Sequence, residues 1–173
     1  MAAIDFVNLS DHELSDVVAY FQSQPPVGQD LGPVKFGPVF TFLVATDSGA
    51  FSASDIDHET AHAPEPPESA PTPRYGEHFV QVCRGCHGER LSGGKRNGDQ
   101  HMPIVANLTP HETGLEYWKE ADFICAIRGG KRKDGTAISE YMPWKAYSQM
   151  RDTELRAMYA YSRTAPVVEK GNR

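Results

Sequence analysis

Four stretches of the chain carry apolar residues at helical spacing. Leu14, Val17, Val18 and Phe21 form a one-sided stripe, as a helix with one buried face would. Ser10 and Glu13 make a capping box in front of it, and Pro25-Pro26 stops it. Tyr75–Val82, with Phe79 and Val80, reads as a second, short helix. A third opens at Trp118, presents Phe123, Ile124 and Ile127, and ends near Arg128 at Gly129-Gly130. The closing helix spans about Asp152 to Arg163 around Leu155 and is expected to pack on the Tyr75–Val82 helix.

Between these stretches the text is irregular. Lys35–Val44 is apolar but short, and reads as a surface-packing helix or an irregular segment. No apolar run approaches the ~20 residues that span a bilayer, so no transmembrane segment is expected. Residues 61–73 are acidic and rich in proline, the composition of an extended, semi-rigid linker. His58 and His62 sit four apart, but the prolines that follow oppose a helix, and both are read as solvated. The 173 residues are 39% hydrophobic and 23% charged, with net charge −6. This is globular composition. It argues against nucleic acid, whose phosphates need a basic patch.

One motif changes the picture. Cys83-Arg84-Gly85-Cys86-His87 is Cys-x-x-Cys-His, the attachment pattern of a c-type haem. Two thiols about one helical turn apart add across the two vinyl groups of the porphyrin, and the adjacent imidazole becomes an iron ligand. A structural zinc site would want about four Cys or His ligands in paired spacings, and only Cys125 remains. A thioredoxin-like pair would want a strand before it. Cys125 is read as a small buried hydrophobe.

Other candidates follow from chain order. The Gly-rich loop Leu91–Gly94 lets backbone approach the haem. A ligating histidine is oriented through its second nitrogen, and a carbonyl near Pro103 is the expected acceptor for His87. Met102 is placed on the same side as His87, and His101 and His111 read as loop histidines. Trp118 is open between donating to a haem propionate and packing in the core. Met142, followed by Pro143 and Trp144, is the candidate second iron ligand. Met150 and Met158 read as core. Arg84, Lys131, Arg132 and Lys133 are open between orienting a partner and forming a solvated cationic loop.

A repeat is hidden in the chain. Shifted by 141 residues, Asp11, Glu13, Leu14, Ala19, Tyr20, Pro25 and Val27 fall on identical residues at Asp152, Glu154, Leu155, Ala160, Tyr161, Pro166 and Val168. Met1 then falls on Met142. The expectation is that residues 1–27 end a preceding haem unit of a longer, two-haem protein. Met1–Asp5 has neither the basic start nor the apolar run of an export signal, so that signal is expected upstream or lost.

Cys83–His87, Asn107–Pro110, Thr113-Gly114, Trp118, Asp122-Phe123, Arg128-x-Gly130, Met142–Trp144 and Asp152-x-Glu154-Leu155 with Ala160-Tyr161 together resemble the class I cytochrome c family. More narrowly, the chain resembles the C-terminal haem domain of multi-haem cytochrome c subunits of bacterial dehydrogenases. The resemblance covers residues 75–168. It implies a small all-α fold, the class I cytochrome c fold around one covalent haem c, preceded by an N-terminal helix (1–27) and a long irregular connection and linker (28–74). It implies a cofactor-binding set of Cys83, Cys86, His87, Pro103, Asn107, Trp118 and Met142, with His87 and Met142 on the iron. The implied function is electron transfer without catalysis of its own, between a dehydrogenase and a respiratory acceptor in the periplasm. The partners would be redox proteins, a dehydrogenase subunit among them. A haem enzyme or gas sensor with a labile sixth ligand is the alternative, and a fold that takes no haem a further one.

Overall fold

Pro73 cannot donate a hydrogen bond, so it suits the first turn of a helix, where none is needed. Thr72 precedes it and its hydroxyl accepts from the Tyr75 N–H at 3.3 Å. From that start the third helix of the chain, α3 (Pro73–His87), runs unbroken to Gly88. The other helices are α1 (Asp11–Ser23), α2 (Pro38–Thr46), α4 (Glu120–Gly129), α5 (Trp144–Tyr147) and α6 (Asp152–Thr164). This computed structural model describes residues 6–26, 28, 32–33, 35–46, 56–57, 59–95 and 103–172. Among them the fold is helical with no strands, only two isolated bridges, Gly94 with Val105 and Lys131 with Ala137. Met1, His58, His101 and Met102 lie outside the described residues.

The chain divides into two compact units, Met1–Pro66 and Pro67–Arg173. In the first, the Ser10–Glu13 capping box is formed: Glu13 N–H donates to Ser10 Oγ at 3.2 Å, and Ser10 N–H to the Glu13 carboxylate at 2.9 Å. The start of the Pro-rich segment lies over the first turn of α1. Asp11 N–H donates to the Ala63 carbonyl at 2.9 Å, and His12 Nδ1 lies 3.0 Å from the Glu65 carboxylate. Glu65, with Asp16, holds the His12 imidazole above its ordinary pKa. The apolar stripe of α1 is not buried: Leu14, Val17, Val18 and Phe21 are 42–69% exposed. On α2, Val39, Phe42 and Leu43 are exposed as well.

In the second unit, α6 lies along α3, as the apolar pattern predicts. The crossing needs a glycine. A Cβ on Gly76 would stand 1.9 Å from the Ala157 carbonyl oxygen, so any larger residue would push the helices apart. Val80 from α3 and Leu155 and Met158 from α6 fill the contact, joined by Phe123 and Ile127 of α4. Each such side chain contributes roughly 1.5–3 kcal/mol through burial. Two boundaries differ from expectation. α3 does not stop at Val82 but carries the whole Cys-x-x-Cys-His motif. α4 begins at Glu120, because Asp122 caps it by accepting from the Lys119 N–H at 2.9 Å; Trp118 stays outside and packs half-buried against the core. The Tyr159 hydroxyl of α6 donates to the Trp118 carbonyl at 2.6 Å and holds that entry in place.

Candidate haem site

Because α3 continues through the motif, Cys83, Cys86 and His87 stand three and four residues apart on one helix and share a face. That face forms part of the wall of a cavity of about 610 Å³. The rest of the wall is largely apolar, including Leu115, Phe123, Ile127 and Ile138. The volume suits an organic cofactor.

The histidine is held from behind. After Gly88 the chain folds back on the end of α3: Leu91 N–H donates to the Gly88 carbonyl and Gly93 N–H to the His87 carbonyl, both at 2.8 Å. Gly94 and Val105 then exchange two backbone bonds of 3.0 Å. This pairing brings residues 105–108 alongside, and the Ala106 carbonyl lies 2.8 Å from His87 Nδ1. A carbonyl can only accept, so Nδ1 carries the proton and Nε2 keeps the lone pair a metal requires. The approach depends on Gly93. Its φ is +65°, and a Cβ there would stand 2.1 Å from the Ala106 oxygen. Leu91, buried with φ +59°, marks the same tight return.

Burial pushes the Cys83 thiol up to about 12; Cys86 adds to the shift and Arg84 opposes it. Redox-active and metal-binding cysteines show the opposite shift, towards the thiolate. The folded chain therefore keeps Cys83 as S–H. Among the described residues, no group of three or more His, Cys, Asp or Glu could hold a metal ion. These observations fit a covalently attached haem: an apolar cradle, two cysteines one turn apart, and an oriented imidazole.

The structure brings the remaining predicted residues to the same cavity. Pro103, Asn107, Trp118 and Met142 all lie on its wall. Met142 is half-buried in the turn before α5, its N–H donating to the Ser139 carbonyl at 3.0 Å. Asn107 has a further role, because its side-chain amide donates to the Val168 carbonyl at 2.8 Å. The acceptor for His87, expected to be a carbonyl near Pro103, is that of Ala106, three residues further on. A backbone carbonyl leaves no mark on residue type, so only the fold could identify it. Lys170 of the C-terminal tail also reaches the wall, and no sequence signal pointed there.

Three of the four predicted docking cations have internal partners. Arg84 donates to the Tyr161 hydroxyl at 3.0 Å and to the Glu89 carbonyl. Lys133 pairs with Asp122 at 3.0 Å and donates to the Tyr117 carbonyl at 2.9 Å. Arg132 donates to the Ala137 carbonyl at 3.0 Å. Cys125, expected to be buried, is exposed on α4.

No family model matches the chain. Curated relatives do. The cytochrome c subunit of the alcohol dehydrogenase (quinone) of Gluconobacter oxydans (strain 621H) is 30% identical over 127 residues, covering 69% of this chain and 24% of that protein. The fructose dehydrogenase cytochrome subunit of Gluconobacter japonicus is 32% identical over 109 residues, 57% of this chain and 22% of the relative. The gluconate 2-dehydrogenase cytochrome c subunit of Pantoea cypripedii is 31% identical over 94 residues, 50% and 21% respectively. The chain spans about a quarter of the length of these relatives or less. From the motif, the site around it and these relatives, the chain is a member of the cytochrome c family that resembles the cytochrome subunits of bacterial dehydrogenases.

Proposed function

We propose that this chain is an electron carrier built around one covalent haem c. The supporting observation is the apolar cavity of about 610 Å³, with Cys83, Cys86 and a carbonyl-oriented His87 on its wall. Cys83 and Cys86 would hold the haem through two thioether bonds, each thiol adding across a vinyl group with no leaving group. His87 Nε2 and the Met142 sulfur would ligate its iron. Bound haem supplies a one-electron couple, and a Met/His ligand pair raises its potential. With His87 and Met142 both engaged, the chain would leave the iron no place for a substrate, and the protein's work would be to set the potential and exclude water.

In this reading residues 75–168 form a class I cytochrome c domain and residues 28–74 a connection. Residues 1–27 resemble the end of a cytochrome c unit, with α1 the counterpart of the closing helix α6. The repeat of 141 residues supports this. So does the form of the two helices: α1 and α6 each have a glutamate at the third position bonded back to the capping residue, Glu13 to Ser10 and Glu154 to Arg151. The named relatives are cytochrome subunits of dehydrogenases, which supports a dehydrogenase as the electron donor; a respiratory acceptor and a periplasmic location complete the proposal.

The test is export of the chain behind a signal peptide together with the haem-attachment machinery. A denaturing gel should stain for haem, and the thiol count of the unfolded protein should fall from three to one, Cys125. The oxidised protein should show the thioether-to-iron absorption band, and the reduced protein should not bind carbon monoxide at neutral pH. Carbon monoxide binding would point instead to an enzyme or sensor. A full set of thiols with no stain would end the haem reading.

A further inference from the structure

The C-terminal tail leaves α6 at Thr164 and crosses behind the loops that hold His87. Its contact there is a buried polar knot. The Val168 carbonyl accepts from Asn107 Nδ2 at 2.8 Å and lies 3.0 Å from Thr109 Oγ1. The Val168 N–H donates back to Thr109 Oγ1 at 3.3 Å. Asn107 Oδ1 accepts from the Thr109 N–H at 2.9 Å and lies 2.9 Å from its hydroxyl, which has one proton to share between Oδ1 and the Val168 carbonyl. Asn107 Nδ2 also reaches Thr113 Oγ1 at 3.1 Å. Asn107, Thr109 and Val168 are 3%, 0% and 8% exposed. Three residues further along, the Gly171 N–H donates to the Ser92 carbonyl at 3.2 Å, so the tail grips both sides of the return loop.

The position of this knot gives it a consequence. The Ala106 carbonyl, which accepts from His87 Nδ1, belongs to the same planar peptide unit as the Asn107 nitrogen. It cannot turn away without changing the φ torsion of Asn107, whose side chain is held by the tail. Buried groups that lose such partners are strongly disfavoured, so the knot resists that rotation.

We infer that the tail residue Val168, acting through Asn107 and Thr109, positions the Ala106 carbonyl and thereby sets the donor strength of the His87 imidazole. A firm bond at Nδ1 makes a ligating histidine more basic and favours the oxidised metal; a loosened one raises the potential. Val168, Asn107 and Thr109 are positioning residues. This inference rests on the haem reading above for its redox part, but not for its effect on the imidazole itself.

The experiment uses the full chain carrying haem, and the same chain without it. Thr109→Val removes the hydroxyl at constant shape, Thr109→Ser restores it, and a chain ending at Pro166 removes the tail contact. Leu155→Ala is the control, destabilising α6 away from the knot. Reduction potential and the exchange rate of the His87 Nδ1 proton are measured in each. Thr109→Val and the shortened chain should raise the potential and speed proton exchange at least several-fold. Thr109→Ser should return both towards the parent values, and Leu155→Ala should lower thermal stability without moving either. If Thr109→Val and the shortened chain change stability alone, the inference is wrong. If no haem attaches, the haem reading fails, and the proton exchange rates in the haem-free chain still decide the tail's role.

Discussion

Replacing Gly93 with alanine tests the site at its tightest point. The residue sits at φ +65°, where a side chain costs about 1–2 kcal/mol. The new Cβ would lie 2.1 Å from the Ala106 oxygen, 2.5 Å from its carbon and 2.6 Å from the Val105 oxygen. All three are backbone atoms, so no rotamer change relieves the clash. Restoring an ordinary C···O separation of about 3.3 Å means moving the Ala106 carbonyl by roughly 1 Å. The 2.8 Å bond from His87 Nδ1 and the paired 3.0 Å bonds between Gly94 and Val105 would then be lost or stretched, at about 1 kcal/mol each. The total is about 3–5 kcal/mol, a large share of the ~5–15 kcal/mol that holds a domain together. Gly135→Ala is the matched comparison: φ is +85°, but nothing lies within 4 Å of its Cβ. It should cost only the backbone strain, about 1–2 kcal/mol. Urea unfolding of the two variants against the parent measures the difference, with unchanged m-values as the check on two-state behaviour. The haem-bearing Gly93→Ala protein should also show a potential raised on the order of tens of millivolts, as the imidazole loses its acceptor. Equal losses for the two variants would refute the reasoning, since the Ala106 carbonyl would then be yielding freely.

Gly76→Ala should destabilise by about 3 kcal/mol despite alanine's better helix propensity, because its Cβ meets the Ala157 oxygen at 1.9 Å; a neutral result in denaturant unfolding would contradict the tight crossing. In the haem-free chain, the folded Cys83 thiol keeps its proton to about 12 while its ordinary value is 9.0. The unfolded chain therefore binds fewer protons above pH 9, and folding stability should fall by about 1 kcal/mol by pH 10. A thioether has no proton to lose, so this component should vanish in the haem-bearing protein; an identical alkaline decline in both forms would argue against attachment at Cys83. Met142→Ala should lower the potential and let the reduced protein bind carbon monoxide, read from its absorption spectrum; unchanged spectra with and without carbon monoxide would remove Met142 from the iron.

The residues of the candidate site are those whose type and spacing declare them. Cys83, Cys86 and His87 need only a helix to share a face, and the sequence carries both the motif and the helix. The closing helix was equally legible, since Leu155 and its neighbours repeat at helical spacing; the cap that Glu154 makes at its start is seen in the fold. The stripe on α1 shows the limit of such patterns. It has the same spacing, yet its apolar residues remain exposed, because periodicity says which side of a helix is apolar and not whether anything covers it.

What the sequence by itself determined was therefore chemistry and local form: the attachment motif, the candidate methionine, the helices and their caps. What only the tertiary structure decided was support. The acceptor for His87 is a main-chain carbonyl at Ala106, and the group that steadies that carbonyl is another main-chain carbonyl, 62 residues later at Val168. Every residue type carries a carbonyl, so neither could be read from residue identity. Gly93 shows the same division: a glycine is visible in the sequence, but the oxygen 2.1 Å from its missing side chain is placed by the folding of a distant segment.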